Sequence, residues 1–125
     1  KVYDDETEVA ILDVNPANPG HPLLLTKEHY SIMPQIPDDE IGHLFKIAKI
    51  ISNSMLSSLE AKGTNLVVAN GVQAGQRAQH FMLHIIPRKE NDELSFVLPK
   101  RSIAQDEIES VGNKMVQAMQ EIIKK

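Results

Sequence analysis

Two histidines and a methionine occupy alternate positions, His80, Met82 and His84, in the mostly apolar run that ends at Ile86. A strand sends successive side chains to opposite faces. His80, Met82, His84 and Ile86 would then share one face, with Phe81, Leu83 and Ile85 on the other as core. An imidazole gives or takes a proton near neutral pH, attacks phosphorus or ligates a metal. Two imidazoles four strand positions apart lie roughly 13 Å from each other, too far to chelate one ion together. Each must therefore act with groups from other elements. The alternative is that both are polar residues on a half-exposed sheet face. The soft thioether and the imidazoles would also suit Cu(I), although methionine on a sheet face is more often packing.

The segment Asn70 to Arg77 leads into this strand with two glycines, Gly71 and Gly75, two glutamines, Gln73 and Gln76, and an arginine. Glycine allows backbone N–H groups to close on an anion, and a guanidinium fork matches phosphate oxygens. Taken alone, the segment reads as a hairpin loop whose glycines serve turn geometry.

The elements that must position these groups follow from the pattern of apolar residues and breakers. Val9 to Leu12 and Pro22 to Leu25 read as two strands joined by the turn-rich stretch Asn15 to Gly20. Tyr30 to Ile36 is irregular. A helix is expected from about Asp38 to Glu60, with Pro37 and three acids at its positive end. Its apolar stripe is Ile41, Leu44, Phe45, Ala48, Ile51, Met55 and Leu59, and Gly63 is its expected stop. Leu66 to Ala69 reads as a strand, and the histidine strand should run from about Gln79 to Ile86, stopping at Pro87. A last helix, about Gln105 to Lys124, is expected to bury Ile108, Val111, Met115 and Ile122, with Gly112 a weak point. The fold class is α+β, with a largely antiparallel sheet of about five strands and two main helices in one domain over residues 1–125.

Composition narrows the function classes. The chain has 125 residues, is 42% hydrophobic and 24% charged, and carries a net charge of -4. The acidic balance argues against a nonspecific nucleic-acid binder. No apolar run approaches a membrane span. Cysteine is absent, which excludes disulfides and thiol chemistry and fits a cytoplasmic location. The chain opens on Lys1 and runs straight into strand-like residues, so further residues are expected before it. His43 reads as a surface or boundary residue.

Taken together these segments resemble the histidine-triad (HIT) family. The resemblance runs from Lys1 to about Arg88. It is carried by Val2 to Asp5, by Ile11 to Pro16, by Pro19 to His21 with Leu23 to Leu25, and by Lys27 to Tyr30. It continues through Asn70 and Gly71 with Ala74 to Gln76, and through His80 to Arg88 as an H-x-M-x-H-I-I-P-R run. The resemblance implies a sheet packed with helices, paired as a homodimer, and a purine nucleoside phosphate as ligand. It implies that Asp13 bonds the ribose, that Val14 and apolar neighbours hold the base, and that Gln76 and its loop, including Asn70, Gly75 and Arg77, bind phosphate. His84 would contact the phosphoryl oxygens, while His21 and His80 orient and charge-balance the site.

The chain departs from the family pattern at its centre. The family's middle histidine attacks the α-phosphorus and becomes a nucleotidyl-histidine, and that position is Met82 here. A thioether is a weak acceptor with no proton to manage, and its attack would give a sulfonium-like species. Two functions remain open: a hydrolase in which His84 or His80 activates water directly, and a silent nucleotide-sensing or partner-regulating module. Ala69 and Arg77 are smaller departures. Some family members bind zinc through an upstream Cys-x-x-Cys and two histidines, which would here be His29 and His80. Two ligands do not make a structural zinc site, so no metal or other cofactor is expected unless such a segment precedes Lys1.

Overall fold

The computed structural model describes residues 1–124. It divides into two compact units, residues 1–94 and residues 95 onward. The first unit holds a five-stranded sheet: β1 (Tyr3–Asp4), β2 (Glu8–Leu12), β3 (Pro22–Thr26), β4 (Gly63–Val67) and β5 (Met82–Arg88). The spatial order is β1-β2-β3-β5-β4, and every pair is antiparallel. The histidine strand is thus an inner strand, with Leu23 opposite His84 on one side and Val67 opposite it on the other.

Alternation divides the sheet into two faces. Ala10, Leu24 and Leu83 lie side by side in the register and are fully buried, as is Ile85. Helix α1 (Asp38–Ser58) covers this face with Leu44, Ile47, Ala48, Ile51 and Met55. Burying each of the larger of these side chains, Leu44, Ile47, Ile51 and Met55, stabilises the fold by about 1.5–3 kcal/mol. The opposite face presents Val9, Ile11, Leu23, Leu25, Met82 and His84, all less buried.

Several element boundaries differ from expectation. Helix α1 ends at Ser58, and the chain reverses with Glu60 at φ 57°, so a glutamate makes the stop expected of Gly63. Gly63 instead opens β4, which ends at Val67 rather than Ala69. Strand β5 begins at Met82, leaving His80 and Phe81 in the approach to it, and it continues through Pro87 to Arg88. Proline is tolerated there because β3 pairs β5 only as far as His84. Beyond that point the Asn18 side chain donates to the Pro87 carbonyl at 2.9 Å. A short 3₁₀ turn, Met33–Gln35, interrupts the stretch expected to be irregular.

The second unit contains α2 (Gln105–Lys124). The helix forms where expected, but Ile108, Val111, Met115 and Ile122 are exposed rather than buried. A lone helix has no second layer in its own unit against which to bury a stripe. No helix among the described residues is long and apolar enough to cross a membrane.

Candidate functional site

His21 stands in the turn before β3 and His84 near the start of β5, so β3–β5 pairing brings them together. His21 is buried, 5% exposed, and its Nε2 lies 3.0 Å from His84 Nδ1. The backbone N–H of Ala17 donates to His21 Nδ1 at 3.1 Å. An N–H can only donate, so Nδ1 carries no proton and the neutral ring holds its proton on Nε2. That proton is donated to His84 Nδ1, which in turn places the His84 proton on Nε2. Burial lowers the pKa of both rings, for His21 together with the neighbouring His84, while Asp13 opposes the shift in each. Both are therefore neutral at physiological pH, and His84 offers a hydrogen-bond donor at its outer nitrogen. With Nε2 protonated and Nδ1 occupied, the neutral His84 ring has no free lone pair.

His80 has the opposite arrangement. Its Nδ1 lies 2.9 Å from the Phe81 carbonyl, which can only accept, so the Nδ1 proton is fixed and Nε2 keeps its lone pair when the ring is neutral. His80, Met82 and His84 line one cleft of about 380 Å³ with Ala69, Gln76 and Arg77. The shared face expected from alternation therefore holds, even though His80 precedes the strand. Met82 stands between the two imidazoles.

The glycine-rich loop is a short 3₁₀ turn, Val72–Ala74, with Gly71 and Gly75 both at φ 95°. Its Ala74 and Gln76 N–H groups donate to the Gly71 carbonyl, and the Gly75 N–H to the Val72 carbonyl. Those three donors are spent inside the turn, whose geometry the two positive-φ glycines serve. Gln76 is a strut: its Oε1 accepts from the Gly71 N–H at 2.7 Å, and its Nε2 donates to the Ser31 carbonyl at 2.6 Å. Asn70 is a second strut, its Oδ1 accepting from the Met33 N–H at 2.8 Å. Arg77 is exposed on the cleft wall and makes no ion pair or hydrogen bond among the described residues.

Asp13 lies close to the histidine pair, its carboxylate grouped with the ring nitrogens of His21 and His84. It also accepts from the Asn15 N–H at 2.9 Å, so it caps the turn while keeping its place beside the cleft. Val14 is 89% exposed on that turn. The Ala17 N–H, which sets both tautomers, carries no side-chain signal in the sequence.

A sequence model of the HIT domain matches residues 1–91. The chain belongs to the HIT family. Over 92 residues it is 44% identical to an uncharacterized HIT-like protein of Methanocaldococcus jannaschii, covering 73% of this chain and 70% of that one. It is 38% identical to an adenylylsulfatase of Arabidopsis thaliana, covering 74% of this chain but only 47% of that protein. Among solved structures, a HIT family protein of Bacillus subtilis superposes with a TM-score of 0.86 at 25% identity, covering 93% of this chain and 84% of that one. A zinc-bound histidine-triad protein of Mycobacterium smegmatis gives 0.71 at 30% identity, covering 85% and 75%.

In this HIT chain the His29 and His80 rings meet edge to face with centroids 5.2 Å apart. The two histidines singled out for zinc are therefore neighbours. No third histidine, cysteine or carboxylate groups with them among the described residues, so the HIT chain's own residues supply half of a tetrahedral set.

Proposed function

We propose that this HIT chain binds a purine nucleoside phosphate in the cleft lined by His80, Met82 and His84, and that it forms no covalent nucleotidyl intermediate. The observation that carries the reading is the directed chain from the Ala17 N–H through His21 to His84. It presents a neutral His84 Nε2–H at the cleft, a donor suited to a phosphoryl oxygen. Arg77 adds positive charge at the wall. Asp13, beside the pair, is assigned to the ribose hydroxyls and Val14 to the base. Asn70, Gly75 and Gln76 act by holding the loop, with the second Gln76 amide proton available to phosphate. At Met82 the thioether offers neither a nucleophilic nitrogen nor a proton.

The lone pair of His80 Nε2 favours one further reading, slow direct hydrolysis. Water would lose a proton to His80 as its oxygen bonds phosphorus. In a phosphoramidate the P–N bond would break as the departing nitrogen takes a proton from solvent and His80 returns its own to solvent, while the neutral His84 Nε2–H stays hydrogen-bonded to a phosphoryl oxygen. General-base assistance of this kind typically contributes about 10²- to 10⁴-fold, so turnover would be far below that of an intact triad. The remaining alternative is a silent nucleotide-sensing or partner-regulating module.

The same reading makes the protein a cytoplasmic homodimer. The exposed apolar row on α2 supports pairing, and sedimentation equilibrium checks it. For the ligand, calorimetric titration with AMP is expected to show saturable binding that Asp13→Ala weakens. Failure to bind any purine nucleotide at millimolar concentration would remove the reading.

A further inference from the structure

Strand alternation places Glu8 on the same face of β2 as Ala10, towards the core and α1. Its side chain is completely buried, and its Oε1 has no hydrogen-bond partner. A buried carboxylate oxygen left unpaired is costly and rarely tolerated. The other oxygen accepts from the Thr7 hydroxyl and lies 3.6 Å from His43 Nε2, which reaches across from α1. Asp5 completes the group, its Oδ2 2.8 Å from the same nitrogen. Ligand atoms of all three residues lie within 4.8 Å of one another. The cluster is on the other face of the sheet from His84 and does not depend on the nucleotide reading.

We propose that Asp5, Glu8 and His43 form a binding site for a first-row divalent cation, with Zn²⁺ as the best-suited probe. A tetrahedral ion with bonds of about 2.1 Å sets its ligand atoms about 3.4 Å apart. The observed 2.8 and 3.6 Å separations from His43 bracket that spacing, so the Asp5–His43 pair would open as the ion replaces the shared proton. Two ionised carboxylates and a neutral imidazole would carry a charge of -2, which a divalent cation cancels; without one, burial raises the Glu8 pKa. One imidazole with two carboxylates is also a donor set that zinc accepts. The carboxylates are already oriented. Asp5 Oδ1 accepts the backbone N–H groups of Thr7 and Glu8 at 2.8 Å each, and Tyr3 donates to Oδ2 at 2.6 Å. An ion can reach the group through the adjoining cleft of about 740 Å³, which includes Asp5, Glu6, Glu28, Asp39, Glu40 and His43 in its lining. Such an acidic wall concentrates cations. The fourth position would be left to water.

Nitrogen NMR of the histidine side chains during titration of the full chain with Zn²⁺ tests this directly, because it reads His43 separately from the other four histidines. The expected result is that the His43 Nε2 resonance moves to a metal-bound position and saturates at one equivalent. In Glu8→Gln its affinity should fall at least about tenfold, a loss that even outer-shell changes produce at metal sites. An unshifted His43, whether zinc goes to other histidines or to none, overturns the proposal. So does a Glu8→Gln protein whose His43 binds zinc as tightly as the wild type.

Discussion

At His84 and His21 burial lowers the pKa, whereas at His43 the Asp5 carboxylate raises it from the same ordinary value of 6.5. The signs work oppositely on stability. For the buried pair the unfolded chain binds protons more readily, so their contribution is complete above 6.5 and is lost as pH falls through the folded values. His43 stabilises the folded chain below 6.5, and that contribution disappears as pH rises through its folded value. In metal-free buffer, denaturant unfolding across pH is expected to show stability declining on both sides of this window. His43→Ala should abolish the alkaline-side decline and leave the acid-side one. The presence of His21, His80, Met82 and His84 was legible from residue types and spacing. The direction of the hydrogen bonds was not, because it depends on the Ala17 backbone N–H. Glu8 precedes the apolar run Val9–Leu12, yet it lies on the strand's buried face, a placement set by the register with Thr26.

Among the elements, the turn from Asn15 to Gly20 has the heaviest task, since it delivers both His21 and the Ala17 N–H. Gly20 adopts φ 93°, and a Cβ there would come within 2.5 Å of the Leu59 Cδ1 atom. Gly20→Ala must accept left-handed backbone strain and displace a flexible side-chain tip. A cost of about 1–3 kcal/mol is expected, read as a lowered denaturation midpoint. The same variant should raise the pKa of His84 as the His21–His84 contact loosens. Equal stability and an unmoved His84 would show that the turn does not position the pair. Both helices and all five strands left a signal in the sequence, β1 only as the strand-like residues after Lys1. Their ends did not. Glu60 closes α1 in a conformation more usual for glycine, and β5 runs through a proline because its neighbour β3 has already ended. The loop before β5 folds as a turn in which the Ala74, Gly75 and Gln76 N–H groups are spent internally.

At the scale of the molecule, the core described here lies within residues 1–94, and the HIT match covers residues 1–91 of the same unit. The fold class was legible because many weak matches occur in order along this stretch. The exposed row on α2 was not, because periodicity identifies an apolar face without saying what covers it. Across the unit, one sheet separates two groups: the cleft proposed for nucleotide, with Met82, on one face, and the Asp5–Glu8–His43 group on the other. The central claim is that the first face retains a working pocket and has lost only the nucleophile. Intact-mass spectrometry of protein quenched during incubation with adenosine phosphoramidate tests it most directly, with wild type and Met82→His compared side by side. The expected result is an acid-labile adenylyl adduct on Met82→His and none on the wild type. An adduct on the wild-type protein would contradict the loss of covalent chemistry, and a folded Met82→His protein that gains none would contradict the intact pocket.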